Sequence, residues 1–73
     1  MNNNKKYTLF IIKCISNFAE KNNINIKDSF LYLNKYNCIQ YLIENYDIEH
    51  TLSKDDTLEA MYRIAHNNGG HII

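Results

Sequence analysis

The chain has no proline, and its only two glycines, Gly69 and Gly70, are adjacent and close to the C-terminus. Proline and glycine are the residues that most strongly disfavour a helix, so backbone chemistry leaves the first 68 residues free to form helices. With 73 residues, of which 45% are hydrophobic and 22% charged, the chain suits one small globular domain and is too apolar for a disordered segment. We therefore predict a single all-α domain over residues 1–73.

Apolar residues recur every three or four positions and predict a compact bundle of four short helices, or five if residues 46–52 form a separate turn. The first helix spans residue 7 to about residue 22, and the second begins after a cap at Asn25 and ends before Asn37. The third runs from residue 38 to about residue 50. The fourth follows a cap at Ser53, where two acidic residues complete a typical helix start.

The apolar faces of these helices predict the core. Leu9 is the exception, because its helical position lies among polar residues of the first helix, and we expect it to contact a partner. We interpret Cys14 and Cys38 as free core thiols, since no CxxC spacing indicates a metal site. The predicted core consists of Phe10, Ile11, Cys14, Phe18, Phe30, Leu33, Leu42, Ile43, Leu58 and Met61.

Charge is unevenly distributed although its sum is zero. Residues 1–36 hold six Lys against two acids, a balance of +4, and residues 37–73 hold two basic residues against six acids, a balance of −4. We favour the interpretation that the two halves attract each other within the bundle. The alternative is an acidic surface for a basic partner, with Glu44, Asp47 and Glu49 as its candidate residues.

The zero net charge gives no support to general nucleic-acid or anionic-membrane binding. The longest apolar run, residues 9–12, has four residues, whereas a membrane span needs roughly 18, so we expect no membrane segment and a cytoplasmic location. The second and third helices superficially suggest a helix-turn-helix. The third helix is mostly apolar, however, and its polar side is acidic, which disfavours binding to DNA phosphates.

No residue pattern indicates catalysis, a cofactor or a metal. The three His show no HxxxH spacing, and Ser53 is occupied as a predicted helix cap. His50 lies four residues after Tyr46, on the apolar face of the third helix. We interpret it as a buried or half-buried residue that donates to a backbone carbonyl, for which replacement by Ala would cost about 1 to 3 kcal/mol. A role for His50 in contacting a partner stays open.

Several strings in this order resemble the DUF3791 family of small bacterial proteins of unknown function, over about residues 7–70. The most specific of them is the pattern carried by Tyr46, Asp47, His50 and Thr51. Two positions differ from the family pattern: Asn25 stands where Ser or Thr is usual, and Asn37 where Gly is common. The other strings are Asn25-Ile26-Lys27-Asp28-Ser29-Phe30, Lys35-Tyr36-Asn37, Tyr41-Leu42-Ile43 and Asn68-Gly69-Gly70.

The resemblance carries no established activity. Members of the family look like operon companions, some of them beside proteins resembling ADP-ribosyltransferases, which implies an antitoxin-like or accessory role. Our hypothesis is a non-enzymatic protein-binding module whose partner is a toxin-like enzyme of a bacterial operon. The alternatives are a DNA-binding autorepressor and a small homo-oligomeric structural protein. The candidate partner contacts are Leu9, Glu44, Asp47, Glu49 and His50.

Overall fold

The structure, a computed structural model, describes residues 4–71, and all regular secondary structure in that range is helical. This confirms the all-α prediction, and the separate turn allowed near residues 46–52 is present as a short fourth helix. The first helix begins three residues before the predicted start. The helices are α1 (Asn4–Asn22), α2 (Ile26–Lys35), α3 (Cys38–Glu44), α4 (Tyr46–Glu49) and α5 (Lys54–Asn67).

Asparagine residues make the first two turns, as the sequence predicts. Asn23 and Asn37 have φ values of 58° and 65°, in the left-handed region that Asn tolerates better than most residues. The side chain of Asn25 accepts a hydrogen bond of 2.7 Å from the backbone N–H of Asp28 and so begins α2. Ser53 caps α5 in the same way. Short polar side chains therefore set both the stops and the starts of these helices.

The predicted third helix is interrupted, so the prediction that it continues to about residue 50 is wrong. It ends at Glu44, because the backbone of Asn45 leaves the helical region at φ −114° and ψ 25°. The side-chain amide of Asn45 donates to the carbonyl oxygen of Tyr41 at 2.9 Å. Such local side-chain bonds compete with helix continuation. The chain then turns into α4, which begins at Tyr46.

The core lies where α5 meets α1 and α3. Six of the ten predicted core residues are buried, and Phe10 and Ile11 are partly buried against them. The prediction is wrong for Phe30 and Ile43, whose side chains are each 41% exposed. The buried hydrophobic residues are Cys14, Ile15, Phe18, Ala19, Leu33, Cys38, Leu42, Leu58, Ala60, Met61 and Ala65.

Two buried polar groups join the helices that enclose this core. The hydroxyl of Ser29 on α2 donates to the carbonyl oxygen of Ile15 on α1 at 2.8 Å. The thiol of Cys38 donates to the carbonyl oxygen of Met61 on α5, with a sulfur to oxygen distance of 3.3 Å. Because buried donors cost free energy when they lack an acceptor, these bonds fix the relative positions of the helices.

The segment after α5 folds back onto α2. The hydroxyl of Tyr32 donates to the carbonyl oxygen of His71 at 2.8 Å, and the side-chain amide of Asn68 donates to that of Tyr36 at 2.9 Å. A Cβ atom on Gly70 would lie 2.9 Å from the Tyr32 hydroxyl oxygen and 3.1 Å from the carbonyl oxygen of Ala65. Glycine therefore fits position 70 best, because a side chain there would displace the Tyr32 hydroxyl and crowd the carbonyl oxygen of Ala65.

Candidate protein-binding groove

An apolar groove lies between the N-terminal half of α1 and α3. Its volume is about 560 Å³. Since one water molecule takes about 30 Å³ in the liquid, the groove is far larger than a packing defect. Ile12 is 54% exposed beside it, and Phe30 and Ile43 contribute the exposed apolar surface that the sequence assigned to the core. The groove is lined by Tyr7, Thr8, Ile11, Ile12, Ile15, Phe30, Ile39 and Ile43.

The groove forms because α1 is longer than the helices available to cover it. At 1.5 Å per residue, the 19 residues of α1 extend about 28 Å, whereas the seven of α3 extend about 10 Å. The apolar stripe Tyr7, Ile11 and Ile15 has the i, i+4 spacing of one helical face, so it continues past the end of the covered region. Exposed apolar side chains gathered along one groove are a feature of interaction surfaces.

A cluster of aromatic rings at the Tyr7 end of the groove attaches α4 to α1. The ring of Tyr46 is edge-on to those of Tyr7 and Phe10, with centroid distances of 4.8 and 5.4 Å. The Lys6 ammonium lies 5.5 Å from the centre of the Tyr46 ring, within range of a cation–π contact. Tyr46 belongs to the most specific string of the family resemblance, and here it holds α4 in place.

His50 is exposed, so its predicted burial is wrong. Its imidazole stacks on the Tyr46 ring at a centroid distance of 4.4 Å, with only 3° between the ring planes. The predicted contact with a backbone carbonyl is present, because Nδ1 lies 2.6 Å from the carbonyl oxygen of Tyr46 and donates to it in the tautomer protonated there. His50, which directly follows α4, therefore packs on Tyr46 at the solvent-exposed side of this helix.

Glu49 does not lie on the predicted acidic surface, because its side chain is only 3% exposed. The Tyr41 hydroxyl donates to its Oε2 atom at 2.8 Å, while Oε1 is buried without a hydrogen-bond partner among the described residues. The hydrogen bond to Glu49, together with burial, raises the pKa of Tyr41 above its ordinary value. In this position Glu49 joins α4 to α3 and is not available to a partner.

The remaining predicted contact residues are exposed and lie outside the groove lining. Leu9 is 62% exposed on α1, and Asp47 is exposed on α4. Glu44 is exposed at the end of α3, where it accepts a hydrogen bond of 2.8 Å from the Gln40 amide. The sequence reasoning missed the groove because it assigned Phe30 and Ile43 to the core. The predicted first helix is longer than either of the next two, and that difference could have signalled that α1 would be covered only in part.

The uneven charge is not consumed by ion pairs inside the chain. In the part of the chain that the structure describes, one ion pair is found, between Lys54 Nζ and Glu20 Oε1 at 3.5 Å, and both side chains are exposed. This pair joins the two halves, but its cation, Lys54, comes from the acidic half and its anion, Glu20, from the basic half. This one pair does not account for the attraction between the halves that the sequence suggested, and the exposed acids remain at the surface.

Both cysteines are free and buried, as predicted. Burial raises the pKa of the Cys14 thiol to about 12, with the Glu49 carboxylate adding to the effect, and raises the pKa of Cys38 to about 11. Thiols of this kind stay protonated at neutral pH and react slowly. Within residues 4–71, no group of three His, Cys, Asp or Glu side chains is placed to hold a metal ion. None of the five helices is long and apolar enough to cross a membrane.

Comparison with known sequences gives one family. The sequence profile described as "Protein of unknown function (DUF3791)" matches residues 9–68. This range contains α2 to α5 entirely and six of the eight groove-lining residues, all except Tyr7 and Thr8. No curated protein and no solved structure shows significant similarity to the chain.

Proposed function

This chain belongs to the DUF3791 family, and we propose that it is a cytoplasmic, non-enzymatic protein-binding module whose apolar groove accepts a helix of a partner protein. The observation that carries the proposal is the groove itself, with Ile12, Phe30 and Ile43 exposed along it. Leaving apolar side chains in water forgoes about 25 cal/mol for each Å² that a partner would cover. A partner that covers the groove therefore gains free energy from the hydrophobic effect.

The dimensions of the groove suit a helix. From Tyr7 to Ile15 the lining extends eight residues along α1, which corresponds to about 12 Å or two helical turns. An amphipathic helix bound in such a groove inserts apolar residues spaced three or four positions apart. The groove of this chain presents the matching i, i+4 spacing on its α1 side. We expect two or three apolar anchor residues from the partner.

The partner implied by the family resemblance is a toxin-like enzyme from the same operon, and our proposal is that this chain neutralises it. A toxin that resembles ADP-ribosyltransferases would bind an anionic dinucleotide, and an enzyme that does so needs a basic cleft. The exposed acids Glu44 and Asp47 support the proposal, because acidic residues steer association toward basic surfaces. Glu49, which the sequence added to this set, is excluded by its burial.

Co-expression with the product of the adjacent gene tests the proposal. We expect a complex that buries at least about 1,000 Å². Ile12→Asp should abolish its recovery, because a charge would then face the apolar groove. Ile48→Asp is the matched control, since Ile48 is 63% exposed and lies outside the groove lining. Equal recovery with the two variants, or growth inhibition by the neighbour that this chain leaves unchanged, would contradict the proposal.

The acidic residues should act mainly on the rate of association. We expect Glu44→Lys and Asp47→Lys together to slow association several-fold at low salt and to change dissociation little, because exposed charges steer encounters rather than hold complexes. Stopped-flow measurements at two ionic strengths check this. An association rate that is independent of salt for both the wild-type chain and the variant would show that these acids have no steering role.

A further inference from the structure

We propose that, without another partner, the groove is occupied by α1 of a second copy of this chain, in a symmetric dimer. The proposal rests on the proposed function in using the same groove, and it names an occupant from the surface of the chain itself. In a two-fold dimer, the same patch on both copies makes the interface, so a chain that carries both a groove and a matching ridge can use each of them twice.

Leu9 supplies the ridge. It is 62% exposed and does not line the groove, although it precedes the lining residue Ile12 by three positions on α1. Lys5 and Lys13, at i−4 and i+4 from Leu9, lie on the same helical side and are exposed. The outer side of α1 is therefore an apolar projection between two cations, which we call the Leu9 ridge.

The α3 side of the groove has the complementary charge. Gln40 and Glu44 directly follow the lining residues Ile39 and Ile43, and both are exposed. No Lys or Arg occurs between Lys35 and Lys54, so Glu44 has no permanently charged cation near it in the sequence. When the Leu9 ridge of one copy enters the groove of the other, its cations approach this α3 side. The two-fold axis repeats that attraction, so each copy contributes it once.

The distribution of charge is compatible with a second copy of the chain at this groove. The chain has zero net charge, so two copies do not repel each other as wholes. Neither Lys5, Lys13 nor Glu44 forms an ion pair within the described residues, and their charges are thus available to another molecule. A standard interface takes about 800 Å² from each partner, roughly a sixth of the 4909 Å² surface of this chain.

One consequence concerns the proposed function directly. If a second copy and a partner helix bind the same groove, they compete, and the dimer must dissociate before the partner binds. The apparent affinity for the partner is then reduced by the fraction of chains held as dimers. Partner binding should therefore become weaker, when expressed per chain, as the concentration of this protein rises.

Sedimentation equilibrium of the full chain, from about 1 μM to 1 mM, tests the dimer. We expect the average mass to rise from 8.7 kDa toward twice that value, with a dissociation constant in the micromolar range. Leu9→Glu should keep the chain monomeric at all these concentrations. Ile48→Glu is the matched control, because Ile48 is 63% exposed and lies outside the groove, and it should dimerise like the wild-type chain.

Charge exchange provides a second test that does not depend on the apolar substitution. We expect Glu44→Lys alone to weaken self-association about tenfold, and Lys5→Glu with Lys13→Glu to weaken it similarly. All three substitutions in one chain should restore it, since the ridge and the α3 side again carry opposite charges. All these side chains are exposed, so circular dichroism should show an unchanged helix content.

Three results would overturn the dimer: a mass of 8.7 kDa at 1 mM, equal behaviour of Leu9→Glu and Ile48→Glu, or no restoration by the charge exchange. Failure of the proposed function looks different. A chain that stays monomeric but loses its co-expressed partner on Ile12→Asp contradicts the dimer and retains the groove as a partner site. A chain that dimerises as expected, but whose neighbour never co-elutes, retains the dimer and contradicts the neutralising role.

Discussion

The two halves of α1 have the same amphipathic spacing but very different surroundings. In the C-terminal half, Cys14, Ile15, Phe18 and Ala19 are buried, whereas no residue between positions 5 and 13 is buried. The C-terminal half is covered by α2 and α5, and α2 is fixed to it by the bond from Ser29 to the carbonyl of Ile15. An apolar pattern therefore defines which face of a helix avoids water, while the lengths of its neighbours decide how much of that face is covered.

Truncation of one large side chain in each half of α1 should give the largest difference in unfolding free energy. Phe18→Ala leaves a cavity in the covered half and should cost about 3 to 5 kcal/mol, which equals the whole stability expected for a chain of this size. Ile12→Ala in the open half should cost less than about 1 kcal/mol, because much of that side chain is already in water. Urea denaturation followed by circular dichroism measures both. Similar losses would show that the groove is more closed than its exposure indicates.

Replacement by Lys of two glutamates five positions apart should give almost as large a difference in unfolding free energy. Glu49→Lys places an ammonium among buried groups and removes the bond from Tyr41, so we expect a loss of about 3 kcal/mol or more. Glu44→Lys, at an exposed position, should change the unfolding free energy by no more than about 0.5 kcal/mol. Thermal unfolding of the two variants, with the wild-type chain as reference, provides the measurement. A folded Glu49→Lys variant of normal stability would contradict the buried position of Glu49.

The pKa values of the two thiols reflect how well the core excludes water, with Cys14 in the covered half of α1 and Cys38 at the start of α3. In the folded chain the pKa values of Cys14 and Cys38 are raised to about 12 and about 11, against about 8.5 for an ordinary thiol. The unfolded chain therefore loses these protons first as pH rises. Their contribution to stability is complete below about pH 8.5 and falls by up to about 1.4 kcal/mol per pH unit for each thiol until the folded pKa is reached.

Thiolate absorbance at 240 nm, after subtraction of the tyrosinate absorbance of the six Tyr residues, checks this prediction. We expect the folded chain to show little thiolate at pH 9.5, and the chain unfolded in urea to show most of both. The wild-type chain at pH 7 serves as the control, because neither state should contain thiolate there. A native thiolate signal that appears near pH 8.5 would show that water reaches the core.

His50 should give the smallest effect. Because it is exposed, His50→Ala removes a stacking contact with Tyr46 and one solvent-accessible hydrogen bond, for about 0.5 to 1 kcal/mol. The sequence alone suggested a larger loss, on the assumption of burial. Thermal melts at constant pH decide between the two values. A loss of 2 kcal/mol or more would mean that α4 depends on this residue more than its exposure suggests.

The sequence predicts most of the fold because local chemistry sets it. The left-handed Asn23 and Asn37 and the caps at Asn25 and Ser53 lie where short polar side chains indicate them. The sequence allows for the break at Asn45 but does not predict it, because an Asn inside an apolar pattern does not by itself end a helix. Local patterns indicate the backbone conformation that each residue prefers, and here they were sufficient to predict that the elements are helices.

The candidate groove depends on distances between elements, which local patterns do not contain. Phe30 and Ile43 have core-like positions on their own helices, and the open groove that they line leaves them exposed. Glu49 illustrates the reverse error. It follows Leu42 by seven residues, which is the spacing of a buried position, but its charge assigned it to the surface. The partner that permits its burial, Tyr41, could be identified only once α4 was seen to turn back.

The bond between Tyr32 and the carbonyl of His71 has a consequence for synthesis on the ribosome. It joins residues 39 positions apart, and α5 supplies Leu58, Met61 and Ala65 to the core. At about 5 to 20 residues per second, the roughly 20 residues from Leu52 to His71 take about 1 to 4 s to make. During that interval α1 and α2 have been synthesised without the helix that covers them, so their apolar faces stay unburied until α5 is complete.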